Sequence, residues 1–153
     1  MPSMSNMQDM HNRKPLVGTP PSKLITISQV RFPRTVFLVA GIYGLVVLIP
    51  QFFMEGVIAR DFPPPLTHPE HFYGFIGVAL AWQFAFLLIA RDPLRFRLFM
   101  LPAILEKLSF GVAALVLCAQ HRTAMPVACV AAIDLVLALF FFLAFRASAS
   151  VQT

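Results

Sequence analysis

Residues 124–145 read AMPVACVAAIDLVLALFFFLAF, a run of 22 residues with a single charge at Asp134. At about 1.5 Å per residue such a helix is about 33 Å long, enough to cross the roughly 30 Å hydrocarbon layer of a bilayer. Three further apolar runs of about 18 residues or more precede it, which makes the chain a multi-pass membrane protein in expectation. The whole chain agrees: 58% of its 153 residues are apolar, 12% are charged, and mean hydropathy is +0.76. Soluble domains carry about 25% charged residues, so a water-soluble fold is excluded. A net charge of +5 would suggest nucleic acid in a soluble domain, but here the basic residues flank the apolar runs, where anionic lipid is their partner.

The expected fold is all-α: an antiparallel bundle of four transmembrane helices over 35–146, with helices at about 35–54, 69–90, 93–120 and 124–146. Residues 1–34, rich in Met and Pro and without a period, read as a disordered tail, and 147–153 as a short C-terminal one. The run Val36–Phe53 exceeds a signal-peptide core and lacks a small-residue cleavage site before Glu55, so it reads as a retained anchor. Thr67 followed by Glu70 has capping-box spacing for the second helix, with Pro69 at its first position. Between the first two helices, Glu55 to Leu66 reads as a loop stiffened by Pro63, Pro64 and Pro65. Asp92 and Pro93 read as the N-cap and first residue of the third helix, which should form a hairpin with the second and bend at Pro102.

Outside the spans, Arg13, Lys14, Lys23, Arg31 and Arg34 lie in the N-terminal tail, Arg91, Arg95 and Arg97 between the second and third helices, and Arg146 at the end. Only Arg60 and Arg122 occupy the other two loops. Nine against two predicts that both termini are cytoplasmic, in the inner membrane of a bacterium. Ala40 with Gly44, Gly77 with Ala81 and Ala85, and Ala128 with Ala132 have the spacing of close helix contacts.

Thr67-His68-Pro69-Glu70, Tyr73-Gly74-Phe75, Ala81-Trp82-Gln83, Arg91-Asp92-Pro93 and Leu105-Glu106-Lys107-Leu108 together resemble a set of small bacterial four-helix membrane proteins of unassigned activity. The likeness spans roughly 35–146. It implies fold and compartment but no substrate. In size and layout the chain is also similar to DoxX-like proteins, without a catalytic motif to carry over.

Four polar residues interrupt the apolar runs. Counting from the end of the bundle with the termini, Gln83 lies roughly 10 Å deep, Glu106 roughly 12 Å and Asp134 roughly 16 Å, with Lys107 in the same layer. A charge at such depth costs about 2.5–3.5 kcal/mol on insertion scales, so all four should face inward. Val127, Ala131, Asp134 and Ala138 share one stripe, and Ala103, Glu106, Phe110 and Ala113 another. Lys107 cannot neutralise two carboxylates. The expectation is that it pairs with Glu106 or Asp134, while the other acid is neutral or bonds Gln83, with Glu106 and Lys107 turned toward different helices. Two functions follow: structural glue or an accessory role, in which the layer is packed shut, and a pocket for a small lipophilic ligand, in which it lines a cavity. An enzyme using Glu106 and Asp134 as acid and base on a lipophilic substrate is the alternative. Four short helices without repeat symmetry make a poor carrier.

Glu55, His68, Glu70, His71 and His121 form a second cluster at the opposite end, with the chemistry of a zinc site but no ligand spacing to match. No metal or cofactor is expected. Cys118 and Cys129 lack Cys-x-x-Cys spacing, and whether they pair is open. The expected surroundings are membrane lipids, and the candidate contacts are a small lipophilic ligand, a second copy of the chain or a membrane partner subunit.

Overall fold

The computed structural model describes residues 27–61 and 67–149. Among these there is no strand. The elements are α1 (Ile27–Gln51), α2 (Glu55–Asp61), α3 (Pro69–Arg91), a 3-10 turn (Arg97–Phe99), α4 (Met100–Ala119) and α5 (Met125–Ala149). The helices α1, α3, α4 and α5 are long and apolar enough to cross a membrane. Their outer faces carry large apolar side chains, such as Val46 at 67%, Phe84 at 61% and Leu105 at 66% exposure. In water that surface would drive aggregation; against lipid tails it is at home.

Helix boundaries depart from the expectation in ways that local chemistry explains. α1 begins at Ile27 rather than 35, so Arg31 and Arg34 sit on its first turns with exposed side chains. Glu55–Asp61, expected as loop, is the short helix α2, while Pro63, Pro64 and Pro65 lie outside the described residues. The N-cap of α3 is His68, not Thr67, and no side chain caps it. Glu70 instead accepts from His68 Nδ1 at 3.1 Å, which removes the expected capping box. Pro69 does occupy the first turn, where its missing N–H costs nothing.

Asp92 does not start a helix. Its backbone N–H caps α3 through Leu88 O, and its Oδ1 accepts the Arg95 N–H at 3.2 Å, an N-cap contact on one isolated turn that its carbonyl closes with the Phe96 N–H at 3.1 Å. The chain then passes through buried Pro93 and the 3-10 turn before α4 opens at Met100. Pro102 therefore lies in the first turn of α4, where no intrahelical donor is lost, and the expected bend has no cause. α4 ends with Arg122 N–H to Leu117 O and His121 N–H to Cys118 O, both 2.9 Å. His121 takes φ 56°, so it fills the left-handed position of a Schellman turn that glycine usually occupies.

Packing follows two tight pairs. α1 lies along α3, α4 along α5, and α1 also meets α5, whereas α3 and α4, expected as a hairpin, barely touch. Glycine permits both tight pairs. A Cβ at Gly41 would meet Leu87 Cδ2 at 2.9 Å, and one at Gly111 would meet Leu135 Cδ2 at 2.7 Å. The expected stripe of Gly77, Ala81 and Ala85 is not a contact: Gly77 and Ala81 are exposed, and a Cβ at Gly77 meets nothing within 4 Å. Ala128 and Ala132 likewise stay outside the core, which uses Ala131 and Ala138 instead.

The two halves of the bundle differ. Toward the end with the termini, Phe37, Phe86 and Phe141 are fully buried among Ala40, Ala90, Met100, Ala103 and Ala144. Phe37 and Phe141 stack at 4.2 Å, and Phe86 meets Phe141 edge-on at 5.0 Å between centroids. Arg97 closes this end, its guanidinium 4.2 Å from the Phe145 ring centroid and its Nε donating to Phe145 O. Toward the other end a smaller cluster of Leu48, Ile76 and Ala79 packs α1 against α3, and a cavity opens beside it.

Candidate functional site

The boundary between the packed half and the open half is the polar layer. On α4, positions 103, 107, 111 and 114 form the buried stripe, so Lys107 rather than Glu106 takes the most interior place. Its Nζ lies 3.2 Å from Asp134 Oδ1 on α5 and 3.4 Å from Glu106 Oε2 on its own helix. One ammonium therefore serves both acids, which corrects the expectation that it would choose one; Lys107 reaches α5 while Glu106 also lines the space beside α3. The long lysine stem lets the ammonium fold back over its neighbour while reaching α5. Below it, the Phe86 ring centroid is 5.5 Å from Nζ, so the aromatic plug forms the floor under the charge.

Gln83 enters the layer from α3, buried to 1% exposure. Its Nε2 donates to Ala79 O, one turn back, at 2.9 Å. Neither acid bonds it, contrary to expectation, and its Oε1 has no hydrogen-bond partner. Gly44 on α1 makes room for this side chain, since a Cβ there would fall inside the Gln83 carboxamide. Glu106 Oε2 makes no hydrogen bond but is ion-paired, 3.4 Å from Lys107 Nζ. Gln83 and Glu106 both line a cavity of about 110 Å³, walled by Tyr43, Phe75, Phe110 and Val130 and floored by Lys107 and Asp134.

All four long helices contribute to this cavity, α1 and α5 from the half away from the termini, α3 and α4 through residues on either side of their midpoints. The α1 share carries only a weak sequence signal: Tyr43, Val47 and Gln51 repeat at helical spacing and are polar at two of three positions. Gln51 Nε2 donates to Val47 O at 3.3 Å. Of the stripe Ala103, Glu106, Phe110 and Ala113, Ala103 is buried, Glu106 and Phe110 are half-buried, and Ala113 is exposed.

The outer cluster divides. His68, Glu70 and His71 bring one ligand atom each within 4.8 Å of one another, all exposed. Glu55 is engaged elsewhere, accepting from Tyr73 Oη at 2.7 Å, which ties α2 to α3. His121 belongs to the turn after α4 and is absent from that group. Three exposed residues in one short segment are a weak metal site, because solvated ligands start from good alternatives in water. Cys118 and Cys129 are both free; Cys118 is half-buried and Cys129 exposed.

The chain matches no family model, no curated protein and no solved structure. The functional argument therefore rests on the geometry of the layer and its cavity.

Proposed function

We propose that this protein binds a small lipophilic molecule inside the membrane, with the molecule's polar end donating hydrogen bonds to the Gln83–Glu106 wall of the cavity. The observation that carries this reading is the unpaired Gln83 Oε1 on the wall of the cavity. A buried acceptor left unpaired costs about 1–3 kcal/mol, and a layer whose only task was to hold helices in register would gain by satisfying or deleting it. An arriving donor recovers that cost. The cavity, at about 110 Å³, suits a polar head rather than a whole lipid, since an apolar cavity of about 150 Å³ admits benzene. Both termini face the cytoplasm of a bacterial cell on this reading, as the basic residues gathered at that end support, and the cavity runs from the middle of the inner membrane toward its outer half.

A second reading, turnover of the bound molecule by Glu106 and Asp134, is favoured by one observation: both carboxylates line the same cavity with one ammonium between them.

Thermal unfolding in lipid nanodiscs tests the binding reading. n-Butylammonium, a head with almost no tail, should raise the melting temperature saturably, and Gln83→Leu should abolish the rise. No shift in the unaltered protein would contradict the reading.

A further inference from the structure

The open half of the bundle has a side door. Because α3 and α4 barely touch, a groove of about 370 Å³ runs between them, lined by Val78, Trp82, Pro102 and Leu105. Phe75, Ala79, Glu106 and Phe110 belong to the walls of both groove and cavity. Groove and cavity thus share a wall, and the groove, apolar along its lipid-facing part, reaches the same Glu106 carboxylate. Ser109, the other polar residue on the groove, already donates to Glu106 O at 2.9 Å. The mouth is apolar and open, with Val78 at 63% and Leu105 at 66% exposure.

Charge selects the head group. The layer holds two acids, Glu106 and Asp134, and one base, Lys107; Gln83, Tyr43 and Gln51, the other polar residues on the cavity wall, are neutral. With both acids ionised the layer is one negative charge in excess within a low-dielectric interior, where an uncompensated charge is expensive. A cationic head restores neutrality and supplies N–H donors; a carboxylate head adds a like charge.

We propose that the occupant is a single-chain amphiphile with an ammonium head, which enters from the bilayer between α3 and α4. The head reaches Glu106 and the Gln83 carboxamide, while the alkyl tail stays in the groove beside Trp82. This rests on the binding reading above and adds to it the route, the tail and the sign of the head.

Trp82 is the only tryptophan of the chain and lines the groove, so its emission reports occupancy. Protein at one chain per nanodisc, in zwitterionic lipid, is titrated with ω-bromoundecylammonium and separately with ω-bromoundecanoate. The ammonium probe should quench Trp82 saturably, at least about tenfold more tightly than the carboxylate, and n-butylammonium should displace it. Glu106→Gln should bring the two probes together; the comparison of probes on the unaltered chain does not depend on that variant folding. Equal quenching by both probes, the mark of bulk bilayer, overturns the proposal. So does dimer formation through a Trp82→Cys disulfide at higher protein density, the mark of a second copy on the groove. If n-butylammonium raises the melting temperature while the bromoalkyl ammonium fails to quench saturably, the groove inference falls and the binding reading stands. If neither acts, both fall.

Discussion

Lys107 Nζ lies 3.2 Å from Asp134 Oδ1, a contact that joins α4 to α5 at the depth where the bundle changes from packed to hollow. The same ammonium is 3.4 Å from Glu106 Oε2, so its removal exposes two carboxylates to each other. Lys107→Met should therefore destabilise by about 3–5 kcal/mol, the usual cost of stripping one partner from a buried ion pair. Adding Asp134→Asn should recover more of the loss than adding Glu106→Gln, because Asp134 is the closer and more buried acid, and the triple change should recover most. Thermal unfolding in detergent measures the series. Three silent single changes would mean that the layer is not buried.

Two glycines one helix apart make a paired test. Gly44→Ala drives a Cβ into the Gln83 carboxamide and should cost about 1–3 kcal/mol, whereas Gly77→Ala, with nothing in reach, should be neutral or stabilise by about 0.5–1 kcal/mol. Equal effects on melting temperature would contradict the α1–α3 contact.

How much of this was legible in the sequence depended on which force ruled each position. Span number and the depth of Gln83, Glu106, Lys107 and Asp134 were readable, because hydrocarbon thickness and the cost of buried charge act on composition alone. Helix neighbours were not. Gly77, Ala81 and Ala85 have the spacing of a contact, yet Gly77 and Ala81 are exposed, since spacing gives a stripe but not its partner. The Asp92-Pro93 signal was read as a helix start, when the same Asp side chain closed a turn. That turn separates α3 from α4, and with it went the hairpin and the chance of foreseeing the groove. Which acid Lys107 would choose was also hidden, because the answer depended on α5 lying close enough to share.

Topology gives a third prediction. Among the described residues, Arg31, Arg34, Arg91, Arg95, Arg97 and Arg146 gather at one end of the bundle, while at the other Arg60 is paired with Asp61 at 2.7 Å. An alkaline phosphatase fusion after Pro64 should be active and one after Arg95 inactive. The reverse pattern would turn the cavity toward the inner half of the membrane.

The exposed trio His68, Glu70 and His71 should hold no tight metal, so elemental analysis of purified protein should find well under one zinc per chain. Independently, His121→Gly should hold or raise stability, because φ 56° costs glycine nothing, while His121→Val should lower it by about 1–2 kcal/mol. One zinc per chain, lost in both His68→Ala and His121→Ala, would show that the turn after α4 serves a metal instead.

Whether the layer borders a reachable space or sealed packing is decided most directly by thiol chemistry. In a Cys118→Ser, Cys129→Ser background, Val47→Cys places a thiol on the cavity wall and Ala103→Cys places one in the aromatic half, at 0% exposure. In nanodiscs, methyl methanethiosulfonate should label Val47→Cys to completion, n-butylammonium should slow that labelling, and Ala103→Cys should stay unmodified. Equal protection at both positions would contradict a ligand-binding cavity and leave the buried charges as glue.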